Sequence, residues 1–242
     1  MTSRVLLACA IAVAALGGIS QQSSAANRAP APKVRDWTQV VRPTPAGGFV
    51  MGNPNARVKL VEYGSMTCPH CRAFDADGVP TLVGKYVKSG KVSWEFRNYV
   101  RDAFDITAAL ITRCNGPTTF FPLTRAMFQE QSNWIAKVQA TPEDQLKSLG
   151  DVPMNRRFVK MARLAGLQQL AQAHGLAAAR SAQCLANEKS VDQLAEMDKR
   201  ATTDFPDFAG TPTFLLNGKM LEKTATWEAL EPQLKAALAQ RG

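Results

Sequence analysis

The chain is poor in the side chains that build metal and haem centres. It has two histidines, His70 and His174, and five cysteines. A structural zinc site needs four ligands. Cys68 and Cys71 would supply two, but His70 lies inside their loop, poorly placed to share one ion, and no second C-x-x-C follows. Covalent haem attachment requires C-x-x-C-H, and Arg72 stands where that histidine would be. Bases outnumber acids, for a net charge of +9. They never gather into the Lys/Arg cluster with interleaved aromatics that nucleic-acid binding uses. Scattered charge describes a basic surface with weak attraction for acidic partners or headgroups, so no nucleic-acid partner is expected. There is no internal repeat, and beyond residue 19 no run is apolar enough to span a bilayer.

What is present begins with an export signature. MTSRVLLACAIAVAALGGISQQSSAAN offers a basic start at Arg4, an apolar stretch from Val5 to Ile19, and small residues at Ser24-Ala25-Ala26. That is the layout of a secretory signal peptide. A retained anchor would need about 20 apolar residues, and Leu6-Leu7-Ala8-Cys9 is a poor match to a lipoprotein acylation site. Residues 1–26 are therefore read as a cleaved signal peptide, leaving 216 residues, a charge of +8 and a soluble periplasmic protein. Cleavage removes Cys9 and leaves Cys68, Cys71, Cys114 and Cys184. An even number in an oxidising compartment permits disulfides. If the two cysteines that stand three apart close on each other, Cys114 is left for Cys184. The alternative for that second pair is two buried free thiols.

Residues 27–48 are rich in Pro, Ala and Gly and read as a linker, with one short extended piece near Trp37 to Val41. ARVKLVEYGS is strand-like and ends near Gly64. CPHCRAFDADGVPTLVGKYVKSG has helical spacing that Gly78-Val79-Pro80 should break. KVSWEFRNYV is a second strand with Val92, Trp94 and Phe96 on one face. From Asp102 to Thr203 the signals are helical, cut by turns at Asn115-Gly116-Pro117, Thr141-Pro142 and Asp151-Val152-Pro153. Thr141 is the expected cap of the helix beginning there. TPTFLLNGKML is a hairpin about Asn217-Gly218, and TWEALEPQLKAALAQ is a final amphipathic helix. Phe120, Phe121, Phe128 and Trp134 fall at helical spacing and are expected in the core.

The order strand, helix, strand, helical block, hairpin, helix is an α/β arrangement, a small sheet interrupted by helices. In it Cys68 falls between a strand end and a helix start. The helix N-terminus, with its unpaired N–H groups and dipole, favours an anion there, and Pro69 suits the first turn. Both lower the thiol pKa. His70 would add a positive charge or an N–H donor. Cys71, one turn in, is expected to be more buried. A structural disulfide across so short a loop removes little chain entropy, so redox exchange is the favoured use of the pair. A non-enzymatic chaperone or a metal-carrying module is the alternative of a different class.

VEYGSMTCPHCRAF, followed much later by GTPTFLLNGK, resembles the DsbA-like thiol–disulfide oxidoreductases of the thioredoxin fold. The likeness runs from about Gly48 to the end of the chain. It implies a thioredoxin-like domain in two pieces, residues 49–101 and 204–242, around an all-helical insertion, residues 102–203. It implies that Cys68 is the nucleophile and Cys71 the resolving cysteine, with Pro69 and His70 tuning Cys68. Thr211-Pro212 matches the family's cis-proline loop, and Glu62 the buried acid that handles the resolving thiol's proton. The implied activity is disulfide introduction into newly exported proteins that carry free cysteines, as a monomer without a cofactor, with reoxidation by a membrane partner of the DsbB type. Thr211 before the proline also occurs in isomerases, so isomerase or reductase is the nearest alternative.

Overall fold

The computed structural model describes residues 35–240 together with Met1. The expected signal peptide and the first part of the expected linker lie outside the described residues. Six strands form one mixed sheet in the order β1-β2-β4-β3-β5-β6. They are β1 (Val41–Pro43), β2 (Phe49–Gly52), β3 (Val58–Gly64), β4 (Val92–Asn98), β5 (Thr213–Leu216) and β6 (Lys219–Met220). β3 and β4 are parallel, with Glu62 opposite Phe96. Every other pairing is antiparallel.

The parallel pair requires a crossover. It is supplied by α1 (Pro69–Asp77) and α2 (Val79–Thr81), the latter running into a π-helical stretch, Leu82–Val87. The break falls at Gly78, where a Cβ would come within 2.9 Å of the Phe74 ring. Between β4 and β5 stand the inserted helices α3 (Ala103–Thr112), α4 (Pro117–Gln129), α5 (Gln131–Gln139), α6 (Glu143–Ser148), α7 (Met154–Leu164), α8 (Leu167–Ala173), α9 (Ala178–Leu185) and α10 (Glu188–Asp204). The chain ends on α11 (Trp227–Ala239). Among the described residues no helix is long and apolar enough to cross a membrane.

Strand alternation splits the apolar residues between the two faces of the sheet. Leu60, Trp94, Phe96, Phe49 and Phe214 point into the main core, where Phe74 of α1 lies 4.7 Å from Phe214 and Phe120 of α4 stacks 4.2 Å from Phe49. Phe121, Phe128 and Trp134 are buried there too. The opposite face carries a smaller cluster of Val61, Tyr63, Leu215 and Ala201.

Two local expectations change. The stretch read as linker contains β1, which pairs Val41 with Met51, so the sheet starts before residue 49. The short extended piece expected near Trp37 to Val41 overlaps β1 only at Val41, since Trp37–Gln39 forms a helical turn and the strand runs on to Pro43. Thr141 does not cap α6. Its hydroxyl donates back to the Lys137 carbonyl at 2.9 Å, and Pro142 takes the cap position without a side-chain hydrogen bond. The hairpin turn is as expected, with Asn217 at φ 51° and Gly218 at φ 84°, the paired positive values of a type I′ turn.

Candidate active site

β3 delivers the chain to the site and ends at Gly64, where a Cβ would stand 2.5 Å from the Phe96 ring. Three loop residues later Cys68 caps α1 in an extended conformation (φ −82°, ψ 122°), with Pro69 at the first helical position. Cys68 is 2 % exposed and Cys71 0 %, and both are unbonded thiols. The Thr211–Pro212 peptide is cis. It brings the Thr211 carbonyl to 3.1 Å from Cys68 Sγ, which donates to it. Thr211 and Pro212 also line an open groove of about 710 Å³ with Gly210, Leu221 and Lys223.

The two sulfurs sit in opposite environments. The Cys68 thiol is pulled from 9.0 to about 5, first by the hydrogen bond from Cys71, then by the Thr211 side chain and by the backbone N–H groups of Cys71 and His70, against the opposing effect of burial. The Thr211 hydroxyl is buried and has no hydrogen-bond partner within range. Cys71 is pushed well above 9.0 by burial, then by its interaction with Cys68 and by the charge of Glu62, and is eased only by the Ser65 N–H, 3.5 Å from its sulfur. A thiolate at Cys68 and a protonated thiol at Cys71 is the state these neighbours favour. His70 is exposed, and the contact it makes with the Cys68 sulfur is through its backbone N–H.

Glu62 is 1 % exposed and accepts from the Trp94 indole N–H at 3.1 Å. Burial, then the charges of Asp75 and Cys68, raise it well above 4.5. It is therefore a buried acid whose surroundings favour its protonated form.

Four contributors escape sequence reasoning. Asp75 lies four residues after Cys71 and so on the same helical face. It is 4 % exposed and raised to about 6 by burial, with Arg125 opposing. That spacing was the signal that could have found it. Trp94 is expected on one face of its strand with Val92 and Phe96, and nothing in that pattern marks it as a hydrogen-bond donor to Glu62. Asp105 and Gln131, from the insertion, contact the loop before Cys68. Asp105 reads as an ordinary first-turn acid and Gln131 carries no signal. Cys114 at the end of α3 is bonded to Cys184 of α9, with Cα atoms 5.5 Å apart. Among the described residues no three His, Cys, Asp or Glu side chains cluster to hold a metal ion.

Fold and site define a thioredoxin-fold protein with a dithiol at a helix N-terminus, faced by a cis-proline loop and interrupted by a helical insertion. A family model described as thioredoxin matches residues 44–236. The chain belongs to this thioredoxin family. It is similar to a solved protein-disulfide isomerase from Novosphingobium aromaticivorans, at 34% identity over 79% of this chain and 97% of that one, with a TM-score of 0.74. The fold is also that of Wolbachia pipientis alpha-DsbA1, at 20% identity over 81% of this chain and 93% of that one, with a TM-score of 0.64. A Rickettsia conorii protein named for protein-disulfide oxidoreductase activity is 28% identical over 78% of this chain and 62% of its own length. The match thus spans under two thirds of that relative.

Proposed function

We propose that the protein is an exported thiol–disulfide oxidoreductase that introduces disulfides into newly exported proteins at Cys68 and Cys71. The observation that carries this reading is the asymmetry of the two sulfurs. Cys68 is held near 5 and Cys71 well above 9.0. A stabilised thiolate stabilises the reduced dithiol and makes the disulfide a stronger oxidant. In the oxidised protein a substrate thiolate attacks Cys68 Sγ, forms a mixed disulfide and breaks the Cys68–Cys71 bond. Cys71 leaves as a thiolate and takes a proton, for which Glu62 is the nearby acid. A second substrate thiolate then attacks the substrate sulfur of the mixed disulfide and expels Cys68 as its stable thiolate. The substrate loses two electrons and the pair gains them.

The groove beside Thr211 and Pro212 is where an extended substrate would lie. Function then requires a disulfide-bearing reoxidant, in this family a membrane protein of the DsbB type, and a periplasmic location. No bound cofactor enters the exchange.

Similarity to the Novosphingobium protein-disulfide isomerase favours a second reading, disulfide isomerisation. Two assays separate them. The oxidised protein is given a reduced, unfolded substrate, and the reduced protein a scrambled one. An oxidase turns over the first far faster than the second. Turnover of the scrambled substrate alone would replace the first reading by the second. No turnover of either would contradict both and favour the chaperone or metal-carrier alternatives.

A further inference from the structure

The loop between β3 and α1 has almost no backbone hydrogen bonds of its own. Its one internal bond runs from the Cys68 N–H to the Ser65 carbonyl, at 3.2 Å. Both polar groups of the Met66 backbone are instead taken by side chains of the helical insertion. Asp105 Oδ1 accepts the Met66 N–H at 2.8 Å. Gln131 Nε2 donates to the Met66 carbonyl at 2.8 Å and to the Cys68 carbonyl at 2.9 Å. Asp105 Oδ2 also accepts from the Ser65 hydroxyl at 2.5 Å and from the Arg101 N–H at 3.0 Å. Both side chains are buried, Asp105 at 0 % and Gln131 at 3 % exposure. Arg72 of α1 donates to Ser132, next to Gln131, which ties α5 to the active-site helix a second time.

The two contacts lead to different sulfurs. Asp105 holds Ser65, whose N–H points at Cys71 Sγ. Gln131 holds the Cys68 carbonyl, the group that also accepts the Arg72 N–H in the first turn of α1. We propose that Asp105 and Gln131 are positioning residues of the exchange reaction, Asp105 acting through Ser65 on Cys71 and Gln131 acting through the Cys68 carbonyl on Cys68. The insertion thereby aims the two sulfurs separately, as the supporting shell of a precise site must. This rests on the reading of Cys68 and Cys71 as an exchanging pair.

The test uses the full exported protein and two readouts. One is the titration of the Cys68 thiolate by ultraviolet absorbance. The other is the rate at which Cys71 releases 5-thio-2-nitrobenzoate from a mixed disulfide formed on Cys68. Gln131→Met removes the donor at similar volume. It should raise the Cys68 midpoint, with about a fivefold loss of thiolate at a fixed pH near that midpoint, the effect of about one net hydrogen bond. Asp105→Asn should slow release by about fivefold on the same basis and shift the Cys68 midpoint less than Gln131→Met does. Ser65→Ala, a milder cut in the same link, should slow release in the same direction and serves if Asp105→Asn does not fold. Folded variants that move neither readout, or that each move both readouts by the same factor, would overturn the proposal. Failure of the unsubstituted protein to form the mixed disulfide or to release the aryl thiolate would instead sink the exchange reading beneath it.

Discussion

The molecule holds two pairs of cysteines in contrasting settings. Cys68 and Cys71 are three apart in sequence, buried, unbonded and surrounded by N–H donors and buried acids. Cys114 and Cys184 are 70 apart, half-buried, and bonded where α3 meets α9. The first pair closes too small a loop to matter for chain entropy, whereas the second closes a large one. Sulfur chemistry is the same in both. In the proposed function the surroundings divide the labour, one pair serving exchange and the other constraint.

The largest separation between the pairs is expected in activity. Cys68→Ala should abolish disulfide transfer, while Cys114→Ala with Cys184→Ala should retain it, measured as turnover of a reduced unfolded substrate. Stability should separate them the other way. Loss of the Cys114–Cys184 bond should cost about 4 kcal/mol by loop closure, roughly 10 °C in the thermal midpoint of a chain this size, and leave the Cys68 titration in place.

A pH effect comes next. The folded Cys68 thiol titrates near 5 and the unfolded one near 9.0. A depressed folded pKa contributes stability that is complete above the unfolded value and is lost as pH falls through the folded one. The reduced protein should therefore lose stability relative to the oxidised protein between about pH 9 and about pH 5, read as the difference of their midpoints. The disulfide has no thiol to titrate, so a difference that stays flat over this window would contradict the assignment.

The smallest effect concerns Glu62, whose folded pKa lies well above its ordinary 4.5. A raised folded pKa means stability present below the unfolded value and lost as pH rises through the folded one. Glu62→Gln removes that loss. It should stabilise the protein at pH 7 by about 1 kcal/mol, with the gain gone below about pH 4.5, and should slow release by Cys71. Destabilisation at pH 7 would show that the carboxylate is satisfied as an anion.

The elements that strong local pattern dictates were legible from sequence. Val92, Trp94 and Phe96 alternate into the core as expected, Asn217-Gly218 turns the hairpin, and Gly78 breaks the crossover helix. The extended piece expected near Trp37 to Val41 meets β1 only at Val41, and β2 carried no expectation, because it is held by pairing with β1 and β4 rather than by its own pattern. The same division runs through the site. Cys68, Pro69 and Cys71 announce themselves by spacing. Thr211 and Pro212 stand out through their resemblance to a known loop. Asp105 and Gln131 reach the loop from 39 and 65 residues away in sequence. No periodicity links them to it, and only the folded insertion brings them there.

The most direct test of the account is the equilibrium reduction potential of Cys68–Cys71, by titration of the exported protein against glutathione. A thiolate stabilised at Cys68 requires a potential well above that of the glutathione couple, the mark of an oxidant. A potential well below it would mean that the pair prefers its disulfide, contradict the thiolate argument and make the protein a reductase.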